Sequence, residues 1–229
     1  MKLSVLIPAY NEIETIDEII KLIRSVKIEV DLEIIIVDDG STDGTREYLA
    51  KLDAPDIKVF FHEKNCGKGM AIRTALEKAE GDIILVQDAD LEYDPNDYAA
   101  LLKPILAGEA EVVYGNRRGG SGGMKKSYER YYWGGRLLTA LTNLLYRTNI
   151  HDEPVCYKVL KRSVFNTITL TCEKFEFCPE ITAKVAKAGY KIYEVPISYS
   201  PRKITQGKKI NWKDGVHAIW TLVKYRFCS

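Results

Sequence analysis

Residues 32–52 read LEIIIVDDGSTDGTREYLAKL, and this stretch carries the unit from which the fold is built. Leu32–Val37 is mostly continuous and apolar, as expected of a strand covered on both sides. Asp38 to Gly44 then supplies a polar turn, with Thr42 or Asp43 as the cap of a helix near Thr45–Leu52. The same order recurs on either side. Leu3–Ile7 reads as a strand, and Ile13, Ile16, Ile19, Ile20, Ile23 and Val26 share one helical face. Downstream come a strand at Ile57–Phe61, a helix marked by Ile72, Ala75, Leu76 and Ala79, and a strand at Ile83–Val86. Pro95 opens a helix to about Leu106, and Glu111–Tyr114 is a further strand. Alternating strands and helices with short loops predict a mostly parallel, doubly wound α/β sheet with helices on both faces. Such sheets bind ligands beyond the carboxyl ends of their strands.

After Tyr114 the texture changes. Residues 115–126, GNRRGGSGGMKK, read as a mobile basic loop. Leu137, Leu138, Leu141, Leu144 and Leu145 make a helical apolar face. Pro179 and Gly189 bracket a helix at Glu180–Ala188. A strand at Lys191–Ile197, a basic stretch from Arg202 to Lys213 and an amphipathic stripe from Trp212 to Phe227 complete the chain. There is no internal repeat, and one domain over residues 1–229 is expected.

Composition supports an ordinary folded protein, with 46% hydrophobic and 28% charged residues in 229. No apolar run approaches the ~18 residues of a membrane-spanning helix. The apolar start meets Asn11 and Glu12 too soon for a signal-peptide core, so the first element is expected to belong to the fold. The net charge of +1 conceals an asymmetry: residues 1–114 hold 12 Lys/Arg against 24 Asp/Glu, and the remainder 21 against 8, or −12 and +13. The acidic half suits a metal cation; the basic half suits phosphate or an anionic membrane. Five cysteines without a C-x-x-C pair, beside three histidines, argue against a zinc site. Reduced thiols in the cytoplasm are the expectation.

Each of three strand ends carries a polar cluster: Pro8–Glu12, Asp38–Gly44 and Asp88–Glu92. A parallel sheet gathers them at one rim, where their carboxylates repel unless cations or hydrogen-bond donors lie between them. Asp88-Ala89-Asp90 can set two carboxylates on one side of an extended turn, and such oxygen ligands suit Mg²⁺ or Mn²⁺ with a phosphate. Taken alone, that triplet is a weak signal, and turn and cap chemistry ahead of Pro95 is the better reading of it. Asn65-Cys-Gly-Lys-Gly lacks the spacing of a phosphate loop.

The ordered set is more telling than any part. PAYNE at 8–12, DDGSTDGT at 38–45, N-x-G-K-G-x-A-I-R at 65–73 and QDADLEYDP at 87–95 together closely resemble glycosyltransferase family 2. Within it, the chain is similar to the branch of dolichyl-phosphate mannose and dolichyl-phosphate glucose synthases. GNR at 115–117, CYKVLKR at 156–162, PEITAKVAKAGYKIYEVPISY at 179–199 and GKKINWKDG at 207–215 extend the resemblance over nearly the whole chain.

The resemblance implies a GT-A fold with a nucleotide-sugar half at 1–114 and an acceptor half at 115–229. It places Pro8, Ala9, Tyr10, Glu12 and Asp39 on the base and ribose of a nucleotide-diphosphate sugar. Lys68, Gly69 and Ala89 lie nearby. Asp88 and Asp90 hold Mg²⁺ or Mn²⁺, and Glu92 stands where relatives often have Gln as an extra ligand. Asp90 and Arg117 are the catalytic candidates, Arg117 matching an arginine on a mobile loop that reaches phosphate. Arg130, Arg136, Arg202 and Lys208 are candidates for the acceptor phosphate. Cys178 stands where many relatives have an acidic residue, and Glu180 is left as an acceptor-side carboxylate. The implied reaction is an inverting transfer of a hexose, GDP-mannose favoured as donor, to a polyprenyl phosphate. A UDP-sugar donor with a lipid phosphate or saccharide hydroxyl is the alternative, and a binding module without turnover the third reading. The implied setting is the cytoplasmic face of a membrane, met peripherally or through a separate membrane partner. No nucleic acid is implied.

Overall fold

The computed structural model describes residues 1–119, 129–202 and 212–228, with side chains from residue 132 onward in the middle span. Among these residues β1 (Lys2–Ala9), β2 (Asp31–Asp38), β3 (Ile57–Phe61), β4 (Ile83–Val86), β5 (Val112–Asn116), β6 (Lys158–Lys161) and β7 (Ile192–Pro196) form one sheet. Their order is β3-β2-β1-β4-β6-β5-β7. β1 runs parallel to β2 and β4, β2 parallel to β3, and β5 parallel to β7. β6 is antiparallel to both β4 and β5.

The helices are α1 (Ile16–Ser25), α2 (Thr45–Leu49), α3 (Lys68–Lys78), α4 (Tyr98–Leu106), α5 (Glu129–Tyr146), α6 (Arg162–Phe165), α7 (Phe177–Lys187) and α8 (Trp212–Phe227). α1 buries Ile16, Ile19, Ile20 and Ile23, the i, i+3, i+4, i+7 face that the sequence spacing dictates. Each of those isoleucines contributes about 2 kcal/mol through apolar burial. Leu3 to Ile7 of β1 are buried without interruption. Successive strand side chains point to opposite faces, so both faces of the sheet are covered there. α3 packs on β1 and β2, and α4 on β5. Leu138, Ala183, Ala218, Leu222 and Tyr225 form a satellite cluster that joins α5, α7 and α8.

The strands expected from the sequence are present, and the sheet is mostly parallel. Two details differ. The Pro95 helix starts as a 3-10 turn over Pro95–Asp97, with the Asp94 carboxylate accepting the Asn96 N–H at 2.9 Å. β6 and α6 do not follow from hydrophobic periodicity, because β6 is four residues long and ends in lysines. Lys158 is nevertheless fully buried: its Nζ donates to the Glu153 carbonyl at 2.8 Å and lies 3.7 Å from the Tyr114 ring centre.

This topology positions the site. β2 and β3 lie to one side of β1 and β4 to the other, so the rim above β1 and β4 is a topological switch point. The reversed β6 delivers the residues just before it, 152–157, to that same rim. There the carboxyl ends of β5 and β7 carry Arg117 and Tyr199–Arg202. Residues 1–114 and 115–229 therefore share one sheet, since β6 lies between β4 and β5.

Candidate active site

The loops after β1 and β2 are stitched side by side. Asn11 N–H donates to Ser41 Oγ at 2.9 Å, and Thr42 N–H returns a bond to Asn11 Oδ1 at 2.8 Å. Glu12 N–H donates to Thr45 Oγ1 at 2.9 Å, and Ile13 N–H to Asp43 at 3.1 Å. Pro8, Ala9 and Tyr10 lead into this seam, and Asn11 holds it with φ +51°. Asp38 is fully buried and accepts from the Arg46 guanidinium at 3.1 Å.

Asp39 organises the loop ahead of α3. Its Oδ1 accepts from Cys66 N–H at 2.9 Å and from His62 Nδ1–H at 2.7 Å; its Oδ2 accepts from Gly67 N–H at 2.7 Å. Gly67 has φ +98°, and a Cβ there meets the Glu173 carbonyl. Only glycine accepts both conditions without strain. Asp39, His62 and Cys66 bring ligand atoms within 4.8 Å of one another. Both Asp39 oxygens already have N–H donors, so this group anchors a loop.

The Asp88–Glu92 turn faces that seam and already meets cations. Lys68, at the start of α3, forms an ion pair with Asp88, and its Nζ lies 3.5 Å from Cys156 Sγ. Burial opposes the Lys68 charge, but the Asp88 carboxylate outweighs it, and the ammonium is held well above its ordinary pKa. Arg202 crosses the rim: its guanidinium donates to Glu12 at 2.9 and 3.0 Å and to Asp90 at 2.7 Å. Glu92 accepts from the Arg202 backbone N–H at 2.8 Å and from Tyr199 OH at 2.6 Å. Burial, then repulsion from Asp88 and Glu92, pushes the Asp90 carboxyl up to about 6 even though Arg202 pulls it down. The rim thus concentrates more negative charge than its cations offset. Asp88 and Asp90 offer hard carboxylate oxygens of the kind a small divalent cation takes, whereas both Glu92 oxygens already have donors in Tyr199 OH and the Arg202 N–H.

A buried polar plinth supports the turn. Tyr98 OH and Tyr157 OH both donate to Gln87 Oε1 at 2.7 Å, and Gln87 Nε2 donates to the Asp88 carbonyl at 2.9 Å. Tyr93 stacks on Tyr157 and Tyr199 at 4.8 and 5.2 Å between ring centres. Beside it, Arg117 forms a fork with Asp152, Nε and Nη2 each at 2.7 Å, while its backbone N–H reaches the same carboxylate at 3.1 Å. The Arg117 guanidinium also lies 4.9 Å from the Tyr199 ring. Burial works to raise the Asp152 carboxyl, and Arg117 more than reverses that.

The structure therefore brings Glu12, Asp88, Ala89, Asp90, Glu92, Lys68 and Arg202 together around one rim. Ala89 is buried, and its carbonyl accepts from Thr15 Oγ1 at 3.0 Å. Arg117 stands beside the rim in the Asp152 fork, rather than extended on a loop. Arg136 is exposed on α5, with its guanidinium 5.9 Å from the Trp133 ring. The Arg130 side chain, Lys208 and residues 120–128 of the basic loop lie outside the described residues. Glu180 turns to Thr171 N–H at 2.7 Å, Tyr225 OH at 3.2 Å and Lys184, which ties α7 to α8. Cys178 Sγ donates to the Val155 carbonyl at 3.5 Å. Sequence reading missed Asp152, Gln87, Tyr93 and Tyr199 as supports. Gln87 directly precedes Asp88, a position that signals contact with the turn once β4 is placed.

The family model for glycosyl transferase family 2 matches residues 4–169. Glycosyltransferase AglJ of Haloferax volcanii is 31% identical over 199 residues, covering 86% of this chain and 63% of its own length. The dolichol-phosphate mannosyltransferase of Pyrococcus furiosus is 29% identical over 211 residues, covering 91% of this chain and 59% of its own length. The chain thus spans less than two thirds of either relative. Among solved structures, glucosyl-3-phosphoglycerate synthase from Mycobacterium tuberculosis, in complex with Mn²⁺, UDP and phosphoglyceric acid, superposes with a TM-score of 0.74. That match is 20% identical and covers 100% of this chain and 79% of the other, a likeness of fold. The sheet order, the carboxylate rim and the family match over residues 4–169 agree: the chain belongs to glycosyl transferase family 2.

Proposed function

We propose that the chain transfers a hexose from a nucleoside diphosphate sugar to a polyprenyl phosphate, with inversion at the anomeric carbon and with Mg²⁺ or Mn²⁺ at Asp88 and Asp90. The observation that carries this reading is the rim itself, where Glu12, Asp88, Asp90 and Glu92 converge with Lys68 and Arg202. Pro8, Ala9, Tyr10, Glu12 and Asp39 take the nucleoside, with Lys68 toward the phosphates. Glu92 is the third candidate ligand, on the condition that it gives up Tyr199 OH or the Arg202 N–H. When bound, the divalent cation neutralises charge on the diphosphate leaving group.

The rest of the chemistry follows from the side chains. A phosphate monoester has a second pKa near ~6 and is anionic at neutral pH, so the acceptor oxygen needs no strong general base. The acceptor needs cations that hold two anionic reactants in line. Arg117 and Arg202 are placed for that work, with Arg130, Arg136 and Lys208 as further acceptor-phosphate candidates. Residues 1–114 serve the donor and residues 115–229 the acceptor. Glu180, occupied by Thr171, Lys184 and Tyr225, is left without a proton-transfer role.

The lipid is met at a surface. Among the described residues no helix is long and apolar enough to cross a membrane. α8 nevertheless exposes Trp212, Val216, Trp220 and Phe227, with Lys213, Lys224 and Arg226 on the same helix. Aromatic and basic residues on one short helix suit the headgroup zone of an anionic bilayer. One relative is a dolichol-phosphate mannosyltransferase, whereas the fold neighbour was solved with UDP, so both donors belong in the test. Radiolabelled GDP-mannose or UDP-glucose is incubated with the protein, Mn²⁺ and either a polyprenyl phosphate or a free saccharide. Label entering the organic phase supports the proposal. Label on the saccharide alone favours a hydroxyl acceptor, and nucleotide binding without transfer to any acceptor favours a binding module.

A further inference from the structure

Asn65-Cys-Gly-Lys-Gly leads into α3 without the spacing of a phosphate loop, and the structure gives its glycines another use. The first N–H groups of a helix have no partner within it and often receive an anion. In α3 that place is taken by backbone from the other half of the chain. Gly69 N–H donates to the Lys174 carbonyl at 3.0 Å and Met70 N–H to the Glu173 carbonyl at 2.9 Å. A Cβ at Gly67 would clash with the Glu173 carbonyl, and one at Gly69 would lie 2.9 Å from the Lys174 carbonyl oxygen. Both glycines therefore make room for residues 172–174 and not for a phosphate. Glu176 holds that backbone in place. It stands directly before α7 and makes no side-chain cap bond there. Its Oε1 turns back and accepts from Glu173 N–H at 2.9 Å and Lys174 N–H at 3.1 Å. The planar peptide between Glu173 and Lys174 is thus pinned at both ends, its N–H to Glu176 and its carbonyl to Met70.

We propose that Glu176 is a positioning residue of the donor site: it fixes the 173–174 peptide across the start of α3, and that peptide aims Lys68. This rests on the reading above, in which Lys68 turns toward the donor's phosphates. The Lys68 ammonium ends a flexible four-carbon stem, so its direction depends on how firmly the backbone beneath it is held. That backbone lies between Gly67 and Gly69, residues with the widest conformational freedom, and needs a tie from outside the helix. The Glu173 and Lys174 carbonyls supply the tie. They also close the start of α3 to anions, which leaves the Lys68 side chain, now paired with Asp88, to meet the phosphate. Glu176 acts through the peptide and needs no contact with the nucleotide.

The test is a double-mutant cycle on nucleotide affinity, read calorimetrically with GDP and UDP in the presence of Mn²⁺. Glu176→Ala is expected to weaken nucleotide binding about tenfold, an ordinary coupling for residues in one hydrogen-bonded network. Glu176→Gln should stay within about twofold of wild type, because both N–H groups go to one oxygen and an amide oxygen can accept both. In a Lys68→Met background, Glu176→Ala should cost less than about twofold, since the side chain it aims is gone. Gly69→Ala pushes on the same peptide from the α3 side and takes the place of Glu176→Ala in the cycle if that variant does not fold. In transfer assays the loss should fall on KM for the donor and leave KM for the acceptor unchanged. Equal losses from Glu176→Ala with and without Lys68 overturn the inference, as does no loss, or a loss that Glu176→Gln shares. A rise in the acceptor KM alone also overturns it. If wild type binds neither nucleotide with Mn²⁺, or Lys68→Met binds as tightly as wild type, the underlying reading of the donor site falls, and this inference with it.

Discussion

Arg117 and Asp152 offer a quantitative test of how the rim is held. Asp152 is fully buried, and the Arg117 side chain is 10% exposed. Two side-chain hydrogen bonds at 2.7 Å and one backbone bond at 3.1 Å join them. Charge-assisted bonds of this kind each contribute about 1.5–3 kcal/mol, but desolvation of both ions offsets much of that sum. Removing one partner is different, because it strands the other charge in a dry site, at a cost of about 3–5 kcal/mol. Arg117→Met and Asp152→Leu are therefore each expected to lower stability by roughly 3 kcal/mol or more. The double variant strands neither charge, and its loss should fall short of the sum of the singles by about 2 kcal/mol. Urea unfolding of the four proteins, followed by far-ultraviolet circular dichroism, measures this cycle. Single losses below about 1 kcal/mol, or losses that add to within about 0.5 kcal/mol, refute the stranded-charge argument.

Asp90→Asn should abolish metal-dependent transfer while leaving the melting temperature at or above that of wild type, because the neutral amide relieves repulsion from Asp88 and Glu92; undiminished transfer refutes the assignment. Gly67→Ala should cost about 2 kcal/mol or more and weaken nucleotide binding, since a Cβ meets the Glu173 carbonyl at φ +98°; wild-type stability contradicts this. Burial works to raise the Glu33 carboxyl, but hydrogen bonds from Ser4, the Glu80 N–H, Lys2 and Lys58 hold it at about 2, below its ordinary 4.5. Its stabilisation is complete above the ordinary value and is lost as pH falls toward 2, so Glu33→Gln should remove about 2 kcal/mol of acid-dependent stability from melts taken between those limits. Parallel acid profiles for the two proteins contradict that. Trp212→Ser with Trp220→Ser, at side chains 75% and 65% exposed, should reduce sedimentation with anionic liposomes without changing the melting temperature. Unchanged sedimentation removes α8 from the membrane surface.

The parallel core was legible because its signal is local. Ile34–Val37 and Ile83–Val86 are continuous apolar runs, and each is followed within two residues by a carboxylate, Asp38 and Asp88, that marks the strand's end. The gathering of Glu12, Asp39, Asp88 and Asp90 at one rim follows from that topology alone. What resisted reading depends on chain reversal. β6 is short and lysine-ended, so nothing in its periodicity places it between β4 and β5. Without β6, Asp152 has no visible path to Arg117, nor Cys156 to Lys68. Arg202 stood out in the sequence only as one cation of a basic stretch, and its bonds to Glu12 and Asp90 span more than a hundred residues and require the folded rim. Likewise the spacing of Asp39 from Gly67 gives no hint that one carboxylate anchors the loop ahead of α3.

The central claim is that the Asp88–Asp90 turn holds the cation that carries the donor's diphosphate. It is tested most directly by titrating GDP and UDP calorimetrically into wild type and Asp90→Asn, with Mn²⁺ and again with chelator. The account predicts tight binding of one nucleotide to wild type that requires Mn²⁺ and is lost in Asp90→Asn. Equal binding with and without the metal, or binding that Asp90→Asn leaves untouched, would contradict it.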